Sequence, residues 1–214
     1  LVCVLVPVFA ELLILDRYVS WSSIFISRYA FMSLNGSYPV AAFSLTGYSG
    51  GGKKMIAEYE AEDRNLDTFA PREYALTQQH KHLKEMKAIT GLTREPLFSP
   101  IVADYYSGMV VSFPVYTEFL KGYKTPKEMT EYFANYYKGE KFIQVIENGN
   151  EDLYGGMLAG NTLSGFDGLK IYITGNEERM VISAQFDNLG KGASGAAVQC
   201  LNILLGCEED KGLA

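Results

Sequence analysis

The sequence of 214 residues predicts an α/β or α+β fold in which strands and helices alternate around one sizeable sheet. From Tyr38 onward, short runs rich in β-branched and aromatic residues alternate with longer segments of helical periodicity, unlike a helical bundle or an all-β sandwich. Hydrophobic residues make up 48% of the chain and charged residues 21%, so it is able to bury a normal core. These proportions fit one large domain, or a domain with an appendage.

Six runs of β-favouring residues predict the strands. They are residues 40–45, 101–103, 108–115, 142–146, 168–174 and 179–184. Gly175 and Asn176 separate the last two runs and predict a tight turn. The last two strands are therefore expected to form a hairpin.

Three segments predict helices. They cover about residues 78–89, 125–139 and 194–205, closed by Gly91, Gly139 and Gly206 respectively. The second begins with Thr125-Pro-Lys-Glu128, in which a threonine N-cap, a proline in the first turn and a glutamate three residues later form a capping box.

Charge and cysteine content narrow the function classes. The net charge of -6 and a pI near 5.0 argue against a nucleic-acid surface, because such surfaces depend on clustered lysine and arginine. Cys3, Cys200 and Cys207 show no Cys-x-x-Cys spacing, which argues against a disulfide framework and a structural zinc site. We therefore expect no metal and a reducing, cytoplasmic location.

The first 35 residues differ in composition from residues 36–214. Residues 1–15 are strongly apolar, but Pro7 and Glu11 interrupt them and the run is too short to span a bilayer. We expect a buried helix or strand there and no membrane role.

Residues 47–54 form a glycine cluster followed by lysines, directly after a predicted strand. Its backbone could present amide groups to an anionic ligand, with charge from Lys53 or Lys54. The alternative is a mobile loop, and the spacing does not match the phosphate loop of nucleotide hydrolases.

The chain's two histidines, His80 and His82, precede Glu85 in the first predicted helix. His82 and Glu85 would share a helical face, which suits a general base and an orienting carboxylate. The alternative is a solvated polar helix end. A metal site is less favoured, because residues two apart on a helix point to different sides.

Residues 187–202 form a glycine-rich turn that opens into an apolar helix. The N-terminus of a helix binds anions through unpaired amides and the helix dipole. A run of glycine, alanine and serine also permits close helix packing without any ligand, so both interpretations stay open.

Together these three segments resemble the N-acetyl-gamma-glutamyl-phosphate reductase family, the NADPH-dependent enzymes of arginine biosynthesis. The resemblance covers roughly residues 36–213. The family's Ser-Gly-Gly loop matches Ser49, Gly50 and Gly51. Its His-Arg-His-Thr-Pro-Glu motif matches residues 80–85, and Tyr74 matches the tyrosine that the family has six residues before the first histidine. Leu83-Lys84 replaces the family's Thr-Pro, so the local turn geometry is expected to differ.

The resemblance implies a role for each matching residue. His82 would be the acid/base, Glu85 and His80 would orient the substrate or the imidazole, Tyr74, Ser49, Gly50 and Gly51 would bind substrate, and Asn188, Gly192 and Gly195 would approach the nicotinamide end of NADP. The implied fold is the catalytic and oligomerisation half, a mixed, largely antiparallel sheet flanked by helices. Its last helix would return to a dinucleotide-binding domain, and the protein would be a homo-oligomer, either a dimer or a tetramer.

Two family features are missing from the sequence. The nucleophilic cysteine sits in an Asn-Pro-Gly-Cys-Tyr motif, whereas residues 21–27 hold no thiol and Cys3 lies too far upstream. No Gly-x-Gly-x-x-Gly fingerprint follows an early strand. We therefore expect a truncated chain, inactive or nearly so, that binds the cofactor weakly. The alternative function is a non-catalytic assembly protein, and an aspartate-semialdehyde dehydrogenase is disfavoured.

Overall fold

A computed structural model describes residues 38–80, 82–90, 92–147 and 155–214. The predicted segment 1–35, including Cys3, lies outside these residues, as do Gly36 and Gly91. Within them the chain forms one seven-stranded sheet and four α-helices.

The sheet is mixed and largely antiparallel. Its strands are β1 (Ala41–Gly47), β2 (Arg72–Glu73), β3 (Leu97–Ala103), β4 (Met109–Tyr116), β5 (Ile143–Val145), β6 (Leu169–Gly175) and β7 (Arg179–Phe186). They lie in the order β2-β3-β1-β4-β7-β6-β5. β1 pairs with β3, and β5 with β6, in parallel, while the other four pairings are antiparallel. The predicted fold class is confirmed.

The predicted hairpin between β6 and β7 is present. Gly175 has φ +118°, and a Cβ there would overlap the carbonyl oxygen of Arg179. The Asn176 side-chain oxygen accepts hydrogen bonds from the backbone N–H groups of Glu178 and Arg179, each at 2.9 Å. A left-handed glycine followed by a self-bonding asparagine explains why this turn could be predicted from the sequence.

The helices are α1 (Gly52–Glu60), α2 (His82–Thr90), α3 (Pro126–Tyr136) and α4 (Gly195–Leu204). The capping box of α3 is formed, with Thr125 Oγ1 accepting from the Glu128 N–H and a Glu128 oxygen accepting from the Thr125 N–H, both at 3.2 Å. The helix ends three residues before the predicted Gly139, which has φ +90° in the following turn.

Two helices differ from the prediction. α2 begins at His82 and not near Gln78, because Gln78 has φ +56° and a left-handed residue cannot continue an α-helix. The sequence did not predict α1. The glycine cluster forms a 3-10 turn, Tyr48–Gly51, which leads directly into this helix and is therefore regular structure instead of an irregular loop.

The two faces of the sheet have different environments. One face packs against α2, through Leu83 and Met86, and against α3, through Met129 and Phe133. Strand side chains complete this core, including Val111, Phe113, Ile171, Ile182, Ala184 and Phe186. The opposite face carries Phe43, Leu97 and Tyr116, which are 44%, 62% and 53% exposed.

Candidate active site

A cavity of about 410 Å³ opens on the core face of the sheet, near the end of β1. It is lined by Thr46, Gly47, Gly50, Gly51, Met55, Tyr74, His80, His82, Met86, Phe98, Val102, Met109, Val111, Phe186, Asn188 and Gly192. Seven of the residues predicted for the site lie in this lining: Tyr74, His80, His82, Gly50, Gly51, Asn188 and Gly192. Three segments far apart in the sequence therefore meet at one concave surface.

Three predicted site residues lie outside the lining. Ser49 is 6% exposed, and its Oγ accepts a hydrogen bond from Asn188 Nδ2 at 3.0 Å. Glu85 is exposed to solvent on α2. Gly195 is buried, and a Cβ there would overlap the carboxylate of Asp167, so close packing explains this glycine.

The turn after β1 already uses several of its backbone amides. The N–H groups of Gly47, Tyr48 and Ser49 donate to the carbonyl oxygens of Gly108, Tyr105 and Tyr106 at 2.9–3.0 Å. A Cβ at Gly47 would lie 2.5 Å from the Tyr106 oxygen. These three amides are therefore unavailable to an anionic ligand. Lys53 and Lys54 are exposed and do not line the cavity.

The two imidazoles are neighbours at the cavity wall. The ring centroids of His80 and His82 lie 4.4 Å apart in an edge-to-face arrangement. His80 precedes α2, so the expectation that the two side chains diverge as helical residues is wrong. The backbone N–H of His82 donates to His80 Nδ1 at 3.3 Å, which leaves Nε2 to carry the proton of a neutral His80 ring. Among the described residues, no three His, Cys, Asp or Glu side chains are placed to hold a metal ion.

Tyr74 borders the same histidine, with its ring centroid 6.0 Å from that of His80. Burial raises the pKa of Tyr74 above its usual value. The phenol therefore stays protonated at neutral pH and can donate a hydrogen bond into the cavity.

Asn188 connects the segments that surround the cavity. Its Oδ1 accepts from the Gly108 N–H at 2.7 Å, and its Nδ2 donates to Ser49. Gly192 follows in a π-helical turn that runs into α4, and a Cβ there would lie 3.2 Å from the Phe186 ring. The backbone is thus held close to the cavity wall at this glycine.

Sequence reasoning missed the apolar part of the lining. Met55, Met86, Met109, Phe98 and Val102 come from two helices and two strands, and no local motif marks them. The alternation of side chains along β3 places Phe98 and Val102 on the core face, but it does not predict which core residues border a cavity.

A family model described as the dimerisation domain of semialdehyde dehydrogenases matches residues 29–188, which is most of the chain. The chain belongs to this semialdehyde dehydrogenase family. The resemblance expected from the glycine and histidine motifs is confirmed.

Several reductases are similar in sequence to this chain. N-acetyl-gamma-glutamyl-phosphate reductase 2 of Nostoc sp. is 38% identical over 188 residues, which cover 84% of this chain and 58% of that protein. N-acetyl-gamma-glutamyl-phosphate reductase of Rhizobium meliloti is 38% identical over 176 residues, covering 80% of this chain and 56% of that protein. The chain thus spans less than two thirds of the length of these relatives.

Solved structures of aspartate-semialdehyde dehydrogenases share the fold. Aspartate semialdehyde dehydrogenase from Francisella tularensis matches with a TM-score of 0.60 at 16% identity, over 88% of this chain and 63% of that one. A probable aspartate-semialdehyde dehydrogenase from Pseudomonas aeruginosa matches with a TM-score of 0.60 at 14% identity, over 89% and 60% of the two chains. At this identity the likeness concerns the fold alone. None of the helices in the described part of the chain is long and apolar enough to cross a membrane.

Proposed function

We propose that this domain is the catalytic and oligomerisation part of an N-acetyl-gamma-glutamyl-phosphate reductase, which reduces N-acetylglutamyl phosphate to its semialdehyde with NADPH. The observation that carries the proposal is the cavity that gathers Tyr74, His80 and His82 together with Gly50 and Gly51. The reductase names of relatives at 35–38% identity support the same substrate class.

In this proposal the histidines move the proton. His82 lines the cavity and acts as the acid/base at the reacting oxygen, while His80 contacts its ring and orients it or the substrate. The protonated phenol of Tyr74 donates a hydrogen bond to the substrate. The orienting role of Glu85 stays a prediction, since its side chain is exposed on α2.

Gly50 and Gly51 also line the cavity. A Cβ at Gly51 would overlap the Met55 side chain, and a Cβ at Gly50 would lie 3.4 Å from Asn188 Nδ2, so the turn is closely packed at both glycines, and their direct contact with substrate stays a prediction. Ser49 is buried and bonded to Asn188, so we assign it to holding the turn, and its direct contact with substrate stays a prediction.

The residues present fit the nicotinamide end of NADP in part. Asn188 and Gly192 line the cavity and would hold that ring, which supplies hydride when bound. Gly195 is packed against Asp167 and does not reach the cavity. Leu201, Leu204 and Leu205 are 52%, 53% and 67% exposed at the end of α4. We assign these leucines to contact with a dinucleotide-binding half.

Two further assignments concern partners and location. We assign self-association, as a dimer or a tetramer, to the open sheet face that carries Phe43, Leu97 and Tyr116. The cytoplasmic location expected from the sparse cysteines stays a prediction. We favour the catalytic role over a non-catalytic assembly role, because the cavity keeps Tyr74 and both histidines together.

Ligand binding tests the proposed substrate class. We expect the chain to bind N-acetylglutamate semialdehyde at least tenfold more tightly than aspartate semialdehyde in calorimetric titrations. Tyr74→Phe and His82→Gln should weaken that binding, whereas Glu178→Gln, which lies at a separate cavity, should not. A preference for aspartate semialdehyde, or equal binding by all variants, would contradict the proposal.

Turnover is a separate test, because the described cysteines, Cys200 and Cys207, do not line the cavity. We expect no phosphate-dependent reduction of NADP with N-acetylglutamate semialdehyde, either by this chain or by its Cys3→Ser variant. Turnover that disappears in the Cys3→Ser variant would instead assign Cys3 as the nucleophile.

A further inference from the structure

Residues 74–80, which follow β2, carry Tyr74 and His80 to the cavity, yet they have little regular structure. β2 is two residues long and pairs with β3 at Val102 and Ile101. The next backbone bond, from the Tyr74 N–H to the Pro100 oxygen, is 3.1 Å long. Beyond Tyr74 the chain turns, so something else must hold it against β3.

The Gln78 side chain makes that attachment. Its Nε2 donates to the carbonyl oxygen of Phe98 at 2.8 Å, and its Oε1 accepts from the Phe98 N–H at 3.0 Å. One carboxamide therefore satisfies both backbone groups of a strand residue, as a neighbouring strand would do. The side chain extends the edge of the sheet by one residue pair.

The backbone of this segment is unfavourable without such support. Ala75 and Gln78 have φ values of +52° and +56°, in the left-handed region that residues other than glycine disfavour. The N–H of Gln78 closes the turn by donating to the Ala75 oxygen at 2.9 Å. Non-glycine residues persist in this conformation where surrounding contacts impose it, and the two bonds to Phe98 are such contacts.

The same attachment determines where the histidines lie. The His80 ring packs edge-to-face on the ring of Phe98, with centroids 5.2 Å apart, two residues after Gln78 bonds the backbone of Phe98. His80 also holds the first turn of α2, because its Nδ1 accepts from the His82 N–H and its carbonyl oxygen accepts from the Leu83 N–H. A displacement of residue 78 would move both imidazoles.

We propose that Gln78 is the positioning residue for the histidine pair: its carboxamide docks the segment on β3, so that His80 and His82 face the cavity in one fixed arrangement. The inference rests on the proposed function where it treats this cavity as the substrate site. The arrangement of the imidazoles can be measured without any substrate.

The test compares Gln78→Asn with Gln79→Asn in the chain labelled with nitrogen-15. Asparagine keeps the carboxamide and tolerates left-handed backbone, but it is one methylene too short to reach Phe98. Gln79 is an exposed neighbour and gives the matched control. Because the chain has two histidines, His80→Gln and His82→Gln assign the imidazole signals in proton–nitrogen spectra at pH 8.

We expect wild type and Gln79→Asn to show His80 as a single tautomer protonated on Nε2. Gln78→Asn should shift both histidines and lose this pattern for His80. If Gln78→Asn does not fold, Gln78→Glu takes its place in the comparison, because glutamate keeps the acceptor for the Phe98 N–H but lacks the donor to the Phe98 oxygen. Lower thermal stability with unchanged imidazole signals would overturn the proposal, as would equal shifts in Gln79→Asn.

Semialdehyde titrations of the same proteins separate the two proposals. If wild type binds the semialdehyde, Gln78→Asn should bind it several-fold more weakly and Gln79→Asn equally well. If wild type does not bind it, the proposed function fails, while the tautomer pattern still decides the role of Gln78. Unchanged binding by a folded Gln78→Asn variant would overturn the positioning role.

Discussion

Lys191 is a buried cation in the turn before α4, 1% exposed. Its ammonium donates to Gln199 Oε1 and lies 5.4 Å from the centre of the Phe142 ring. Burial lowers the pKa of Lys191 to about 8, although Cys200, Glu209, Asp167 and Glu140 act in the opposite direction. The charged form is therefore less favourable in the folded chain than in the unfolded one.

The pKa of Lys191 predicts a pH-dependent stability. Between pH 8 and 10.5 the unfolded chain binds more protons at this lysine, so the contribution of Lys191 to the free energy of unfolding should rise with pH across this window, by the order of 3 kcal/mol. Urea denaturation at pH 7.5, 9 and 10.5 measures the rise. Lys191→Met should flatten it, and Lys138→Met, at an exposed site, should not.

The measurement needs a Cys200→Ala background. Burial raises the pKa of the Cys200 thiol, while Lys191 lowers it. When folding raises the pKa of a thiol, its contribution to the free energy of unfolding falls as the pH rises, which is opposite in sign to the lysine effect. A rise that persists in the variant lacking Lys191 would show that another group causes it.

Ser44 gives a second prediction for a single residue. It is 1% exposed on the core face of β1, and its hydroxyl has no hydrogen-bond partner within the described ranges. An unpartnered buried hydroxyl is unfavourable, so Ser44→Ala should raise the free energy of unfolding by about 1 kcal/mol. Chemical denaturation provides the value.

Ser112→Ala is the matched control for Ser44. The Ser112 hydroxyl forms a 2.9 Å hydrogen bond with the Ser183 hydroxyl on the neighbouring strand. Its removal leaves Ser183 with one partner fewer, so this variant should lose stability. If Ser44→Ala is destabilised as much as Ser112→Ala, the Ser44 hydroxyl has a partner after all.

The sequence predicted the elements that have local signals. Each predicted strand corresponds to a strand of the sheet, because β-branched residues alternate along the buried runs. α1 was missed, since Gly52-Lys-Lys follows a glycine cluster that is typical of a loop. The start of α2 was misplaced because Gln78 bonds to Phe98, a contact twenty residues away that no local pattern reveals.

The same limit applies to the site. Motifs identified Tyr74, His80 and His82, which the fold brings to one cavity. They also included Glu85, which is exposed on α2, and Gly195, which packs against Asp167, because a motif does not specify which surface each of its residues reaches. A sequence motif therefore suggests that more residues reach the same surface than the structure brings there.

The capping box at the start of α3 leads to a prediction about the stability of the chain. Thr125 and Glu128 satisfy each other's backbone N–H groups at the helix start. Thr125→Ala should lower the free energy of unfolding by about 1 kcal/mol, since it leaves an N–H of the first turn without an acceptor. Lys127→Ala, in the same turn but exposed, should change it by a few tenths at most. Equal losses in both variants in denaturant melts would contradict the capping role.

The whole domain is asymmetric about its sheet. One face is filled by α2 and α3, whereas the other carries Phe43, Leu97 and Tyr116 with large exposed fractions, and Ser112 and Ser183 bonded to each other between the strands. Cross-strand register places Phe43 beside Ser112 on this open face. Large apolar and aromatic side chains exposed together on one sheet face are typical of an interface between subunits.

The open face predicts the behaviour of the domain in solution. A lysine in place of Phe43 would bury a charge in any contact made by this face, so Phe43→Lys should shift the protein from oligomer to monomer. Light scattering during gel filtration, at several protein concentrations, measures the mass. Leu66→Lys is the control, because Leu66 is 82% exposed in a turn away from the sheet. A wild-type protein that stays monomeric at high concentration, or equal masses for Phe43→Lys and wild type, would place self-association elsewhere.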